Sequence, residues 1–66
     1  MDPEATVRIA LDRDNDQDER RESIANLLSW INRGGFGPFG WSRAETRRFC
    51  KGALASLDDQ KERAKA

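Results

Sequence analysis

Between Ser29 and Ser42 the chain reads Ser-Trp-Ile-Asn-Arg-Gly-Gly-Phe-Gly-Pro-Phe-Gly-Trp-Ser, which holds four of its five glycines, one of its two prolines and four of its five aromatic side chains. Glycine carries the largest backbone entropy cost in regular structure, and proline removes a hydrogen-bond donor and fixes φ. No long helix or strand crosses such a stretch, so the fold is assembled from what lies on either side of it. Tryptophan and phenylalanine also bring the largest apolar areas per residue. A linker of this kind either staples a small core or touches a partner.

The flanks are short. Sixty-six residues make a single small domain, and a chain of this size buries only about 60% of its surface on folding. Small folds usually gain stability from disulfides, a structural metal, tight packing or oligomerisation. Cys50 is the only cysteine and there is no histidine, so neither an internal disulfide nor a Cys/His zinc site can be assembled within one chain. Packing and self-association remain. We therefore expect the chain to be homodimeric or to bury apolar surface against another protein.

The segment before the linker carries two amphipathic patterns. Asp2-Pro3-Glu4 is a helix start, with Asp as cap, proline at the first helical position and Glu at the positive end of the dipole. It predicts a short N-terminal helix over about 3–11. The competing reading is a strand over 6–12, because Val7, Ile9 and Leu11 alternate with Arg8 and Ala10. Helix is preferred, since a lone strand has no partner nearby in sequence and leaves an open edge. Asp12 to Asp16 is a polar break, and a second helix capped at Asn15 or Asp16 runs to Arg33 before Gly34 closes it. Ile24, Leu27, Leu28, Trp30 and Ile31 fall on one arc of about 160° on its wheel.

After the Gly/Phe-rich loop 34–41, Ser42-Arg-Ala-Glu45 has the spacing of a capping box. The last helix starts at Arg43 and places Thr46, Phe49, Cys50, Ala53, Leu54 and Leu57 on its buried arc. Arg47, Arg48 and Lys51 are read as projecting away from it. Gly52 lies off the arc and costs about 1 kcal/mol relative to alanine, which suggests that another backbone comes close there or that the position is unoptimised. Residues beyond about 60 carry no apolar side chain larger than alanine and are expected to fray. The expected fold is all-α: an antiparallel two-helix hairpin over about 16–33 and 43–60, closed on one side by the short N-terminal helix.

Charge separates along the chain although twelve basic and twelve acidic residues cancel. Residues 1 to 22 carry a net charge of −4 and residues 23 to 53 carry +4. There is no apolar run long enough for a signal peptide or a membrane span, and a cytoplasmic protein without a membrane partner is expected. No catalytic set is legible: a nucleophilic cysteine needs a base, and the usual one is absent. Asp12-Arg-Asp-Asn-Asp-Gln resembles the start of a calcium-binding EF-hand loop. However, Gln17 stands where that loop needs glycine and Ser23 where it needs glutamate, so the segment is read as a solvated acidic turn. No catalytic, cofactor-binding or metal-ligating residue is assigned.

The candidate contact residues are Phe36 and Phe39 together with Arg33, Arg43, Arg47, Arg48 and Lys51. Their most direct use is in a protein–protein interaction module that associates with itself. Cations interleaved with aromatic faces also suit nucleic acid, which is the alternative partner, and Arg33-Gly-Gly-Phe36 resembles one unit of an RGG-type RNA-binding tract. If residues 6–12 formed a strand, strand-helix-helix order with Arg8 on the strand and Ser42-Arg-Ala-Glu45 opening the last helix would resemble the ribbon-helix-helix transcription factors. That resemblance implies a dimer whose paired strands enter the major groove.

Overall fold

The computed structural model describes residues 2–65, with side chains over residues 2–58. Three helices follow in order, α1 over Pro3–Leu11, α2 over Gln17–Asn32 and α3 over Arg43–Lys65, with a 3₁₀ turn at Pro38–Gly40 between the last two. Among the described residues there is no strand. Residues 3–11 are helical, so the strand alternative over 6–12 and the ribbon-helix-helix order are not formed. The chain is a short helix plus a helical hairpin.

Local chemistry sets each helix end. The Asp2 carboxylate accepts from the N–H groups of Glu4 and Ala5 at 3.1 and 3.2 Å, satisfying two donors that a helix N-terminus leaves open. Asp16 stands at the cap position of α2, yet its side chain makes no capping bond. At the other end of α2, Gly35 N–H donates to the Trp30 carbonyl and Gly34 N–H to that of Ile31. These are the two bonds of a Schellman closure, which puts Gly34 at φ +95° where side-chain-bearing residues are strained. Ser42 and Glu45 form the reciprocal box, Glu45 N–H to Ser42 Oγ and Ser42 N–H to Glu45 Oε1, each at 3.1 Å.

The Glu45 carboxyl is held below its ordinary value, first by the Ser42 N–H and then by the Ser42 hydroxyl; desolvation opposes them, and Arg48 adds the smallest lowering effect. A carboxylate whose pKa is depressed on folding stabilises the fold fully above its unfolded value, about 4.3, and that stabilisation is lost as pH falls through the folded value. Acid titration followed by helical circular dichroism should therefore show a loss of stability below pH 4.5 that is smaller in Glu45→Gln, which keeps an acceptor but does not titrate in this range.

The middle helix organises the packing. α2 lies against both α1 and α3, and the 3₁₀ turn is set against α1. The hairpin is antiparallel: Gln17 at the start of α2 donates to the Leu57 carbonyl and Arg21 pairs with Asp58 at 3.1 Å, while Asn32 at its end accepts from Arg47. Arg20 Nε donates to the Ala10 carbonyl at 2.7 Å, tying the C-terminus of α1 to the first turns of α2. Val7, Ala10, Ile24, Leu27, Ile31 and Cys50 form the buried cluster, with Leu28, Trp30, Phe49, Ala53 and Leu54 half-buried around it.

Packing decides details of the loop and of α1 that the sequence left open. The loop 34–41 contains the 3₁₀ turn, whose Pro38 is fully buried. Of the alternating apolar residues in α1, only Val7 enters the core; Ile9 is exposed and Leu11 is 61% exposed. The last helix continues to Lys65; the tail expected to fray, about 60–66, has its side chains outside the described set.

Candidate functional site

The candidate contact residues do not converge on one surface; the loop distributes them over two. Phe36 stands edge-on to Trp30, with ring centroids 5.6 Å apart and planes at 82°. The Trp30 indole N–H donates to the Phe36 carbonyl at 3.0 Å, so the α2 ring holds the loop backbone as well as the loop ring. Gly35 is required here by contact: a Cβ added to it would fall on the Trp30 indole. Arg33, Gly34 and Gly35 border the shallow recess beside Trp30, and the Arg43 guanidinium reaches over Gly34. Phe36 nevertheless remains 65% exposed.

Phe39 joins a different group. Its ring lies 5.5 Å from that of Trp41, which lies 5.3 Å from that of Phe49, giving a ladder of three aromatics from the loop onto α3. Phe39 has φ +54° and ψ +27°, the left-handed region, which costs a bulky side chain about 1–2 kcal/mol. Its ring is 46% exposed despite that strain. Trp41 is half-buried in the middle of the ladder. Trp41→Ala should lower stability by about 2 kcal/mol in urea unfolding, between a full core truncation and a surface change.

The cations divide as well. Arg47 was expected to project into solvent, but it is half-buried and its Nε donates to Asn32 Oδ1 at 3.2 Å. The reason is its place on the wheel, at the edge of the buried arc next to Thr46, where it meets the C-terminus of α2. Together with Arg33 and Arg43 it gathers at the C-terminus of α2, the negative end of the helix dipole, where positive charge is favoured. Arg48, one residue on, turns to the other side of α3 and lies with Glu45, Trp41 and Phe49. Lys51 is exposed.

A groove of about 420 Å³ continues from this ladder between α1 and α3. Ile24 of α2 lines it together with Ala10 and Leu11 from α1 and Phe49, Gly52 and Ser56 from α3, and Arg48 and Arg20 add cationic groups. It forms because both outer helices pack on α2 without packing comparably on each other. The sequence reading assigned none of the α1 residues to a site. Its pointers were Arg48, a candidate contact residue, and Gly52, through its position off the buried arc of α3.

Cys50 is fully buried, and burial raises its thiol pKa. A buried thiol with little thiolate is a poor nucleophile. At pH 8 the folded chain should react with a disulfide reagent roughly a hundredfold more slowly than the chain in denaturant, because attack requires opening of the core.

Among the described residues no cluster of three or more potential metal ligands occurs, and no helix is long and apolar enough to cross a membrane. Compared with protein families, curated proteins and solved structures, the chain matches none.

Proposed function

We propose that this chain is a non-catalytic protein–protein interaction module that associates with a second copy of itself. The observation that carries this reading is the partly exposed apolar strip running from Phe39 through Trp41 and Phe49 into the groove walled by Leu11. A chain of 66 residues has little apolar surface to spare. Leaving Phe39 and Leu11 exposed and Trp41 and Phe49 only half-buried is costly unless another surface covers them. The absence of histidine from the sequence and the burial of Cys50 support a role without catalysis.

Size-exclusion chromatography with light scattering tests the reading. The mass should rise with concentration from that of one 7.5 kDa chain toward twice that value. A single-chain mass up to about 1 mM, which corresponds to only about 4 kcal/mol of association, overturns self-association.

Nucleic-acid binding through Arg33, Arg43, Arg47, Arg48 and Lys51 has less support, because the cations face two sides of α3 and Arg47 is engaged by Asn32. Retardation of DNA or RNA that falls steeply with salt and disappears in Arg47→Glu with Arg48→Glu would replace the interaction reading with this one.

A further inference from the structure

We infer that the groove between α1 and α3 is a docking site for an acidic amphipathic helix of another protein, whose apolar face fills the groove and whose carboxylates meet Arg20 at one end and Arg48 at the other. The inference goes beyond the self-association proposed above and does not depend on it, because Phe39 and Trp41, at the loop end of the apolar strip, lie outside the groove.

The shape of the groove suits a helix. α1 and α3 both pack on α2, and the space left between them, about 420 Å³, has Ile24 of α2 beneath it. A helix seated there completes a four-helix arrangement, the helix-in-groove mode of recognition. Close seating needs small side chains along the path, and Ala10, Gly52, Ala53 and Ser56 supply them. Gly52 is exposed, and a Cβ added to it would meet nothing within 4 Å. Glycine inside a helix costs stability relative to alanine, and here it relieves no contact within its own chain, so the room it leaves is open to a partner. Leu11, which is 61% exposed, and the half-buried Phe49 are the larger apolar contacts at the two ends.

The charges of the groove select the partner. Among the described residues, those that line it include Arg20 and Arg48 and no carboxylate; Asp12, Asp14 and Asp16 of the turn after α1 lie outside. Arg20 Nε donates to the Ala10 carbonyl, which fixes the guanidinium at the Leu11 end, and its terminal nitrogens have no partner among the described residues. Arg48 makes no ion pair among them either. The nearby Glu45 carboxylate is engaged by Ser42, and Arg48 is the weakest influence on it. Two unpaired cations flanking an apolar floor match a partner with a carboxylate at each end of its apolar face. They disfavour a second copy laid groove on groove, which sets arginine against arginine, and a single-headed amphiphile, which meets only one of them. Leu57, whose carbonyl is bonded by Gln17 at the Arg20 end, lies nine residues beyond Arg48 on α3, about 13 Å at the helical rise. The partner's carboxylates are therefore two to three helical turns apart.

Fluorescence anisotropy with two labelled alanine-based helices tests the site. One carries Glu at i and i+7 around Leu at i+3 and i+4, and the other carries Lys in place of both Glu. The Glu helix should bind at least about tenfold more tightly than the Lys helix, with an advantage that shrinks as salt is added. Arg48→Glu, an exposed change that removes no ion pair among the described residues, should erase this preference. Gly52→Leu, checked by circular dichroism to be as helical as the unsubstituted chain, should weaken binding of the Glu helix at least about tenfold by filling the groove. No binding of the Glu helix up to about 1 mM, equal binding of the two helices, or unchanged binding to Gly52→Leu overturns the inference. So does displacement of the Glu helix by a short single-stranded oligonucleotide at lower concentration, which would assign the cations to nucleic acid. Light scattering of the chain without peptide reads self-association separately. A dimer that ignores the Glu helix overturns this inference alone, and a monomer that binds it overturns self-association alone.

Discussion

Leu27→Ala is expected to remove about half of the folding stability of the chain at 25 °C. Leu27 has no exposed surface and sits in the middle of α2, the helix that both others pack against. It belongs to one cluster with Val7 and Ala10 of α1 and Cys50 of α3. Truncating a buried leucine costs about 2–5 kcal/mol, through lost transfer free energy and the cavity left behind. At the usual 0.05–0.15 kcal/mol per residue, a chain of this length has about 3–10 kcal/mol in total. One side chain therefore carries much of the margin. Urea unfolding followed at 222 nm measures the change, and Leu11→Ala supplies the contrast: the same chemical deletion at a largely exposed position should cost less than about 0.5 kcal/mol in a monomeric sample. Equal effects at the two positions would mean that the three helices do not share one core.

Gly37→Ala is expected to cost about 2–3 kcal/mol, for a reason unrelated to backbone freedom. Gly37 has φ −80° and ψ 157°, a conformation open to any residue. What forbids a side chain is space: its Cβ would overlap the Trp41 carbonyl oxygen and crowd Thr46 Oγ1. Neither can step aside cheaply. The carbonyl is backbone, and the Thr46 hydroxyl is fully buried and donates to the Ser42 carbonyl at 2.9 Å. Inserting a methyl group must push the loop off the first turn of α3, an overpacking of the kind that costs 1–3 kcal/mol. The shift should also appear in tryptophan fluorescence, because Trp41 is the residue displaced. A change below about 0.5 kcal/mol would mean that the loop is not seated on α3.

Both expectations depend on contacts between elements, and that is where sequence reading lost resolution. Most helix ends were legible because the groups that set them are two to five residues apart. Asp2 reaches the amides of Glu4 and Ala5, Ser42 and Glu45 hold each other, and Gly34 and Gly35 close on Ile31 and Trp30. The core-facing arcs followed from the helical period once those ends were placed. Ile24, Leu27 and Ile31 are buried as their spacing implies, and Thr46, Cys50 and Leu57 with them.

The candidate site was legible only as a set of residue types. Phe36 and Phe39 are three residues apart, with the same chemistry, and they end in separate aromatic groups because Trp30 lies on one side of the loop and Trp41 on the other. Arg47 and Arg48 are adjacent and face different neighbours, Asn32 in one case and the groove in the other. Neighbours on a helix stand about 100° apart, so adjacency in sequence says little about sharing a surface.

By itself the sequence determined the two long helices with their apolar stripes, the caps at Asp2 and Ser42, the stop at Gly34 and the separation of charge along the chain, since all of these are set by interactions within a turn or two. Only the tertiary structure decided that Pro38 is buried, that Leu11 is left outside, that Phe39 is held at a positive φ, and that α1 and α3 flank a groove on α2. Those outcomes depend on how preformed helices divide a limited core among themselves, and that balance is struck between residues far apart in the chain.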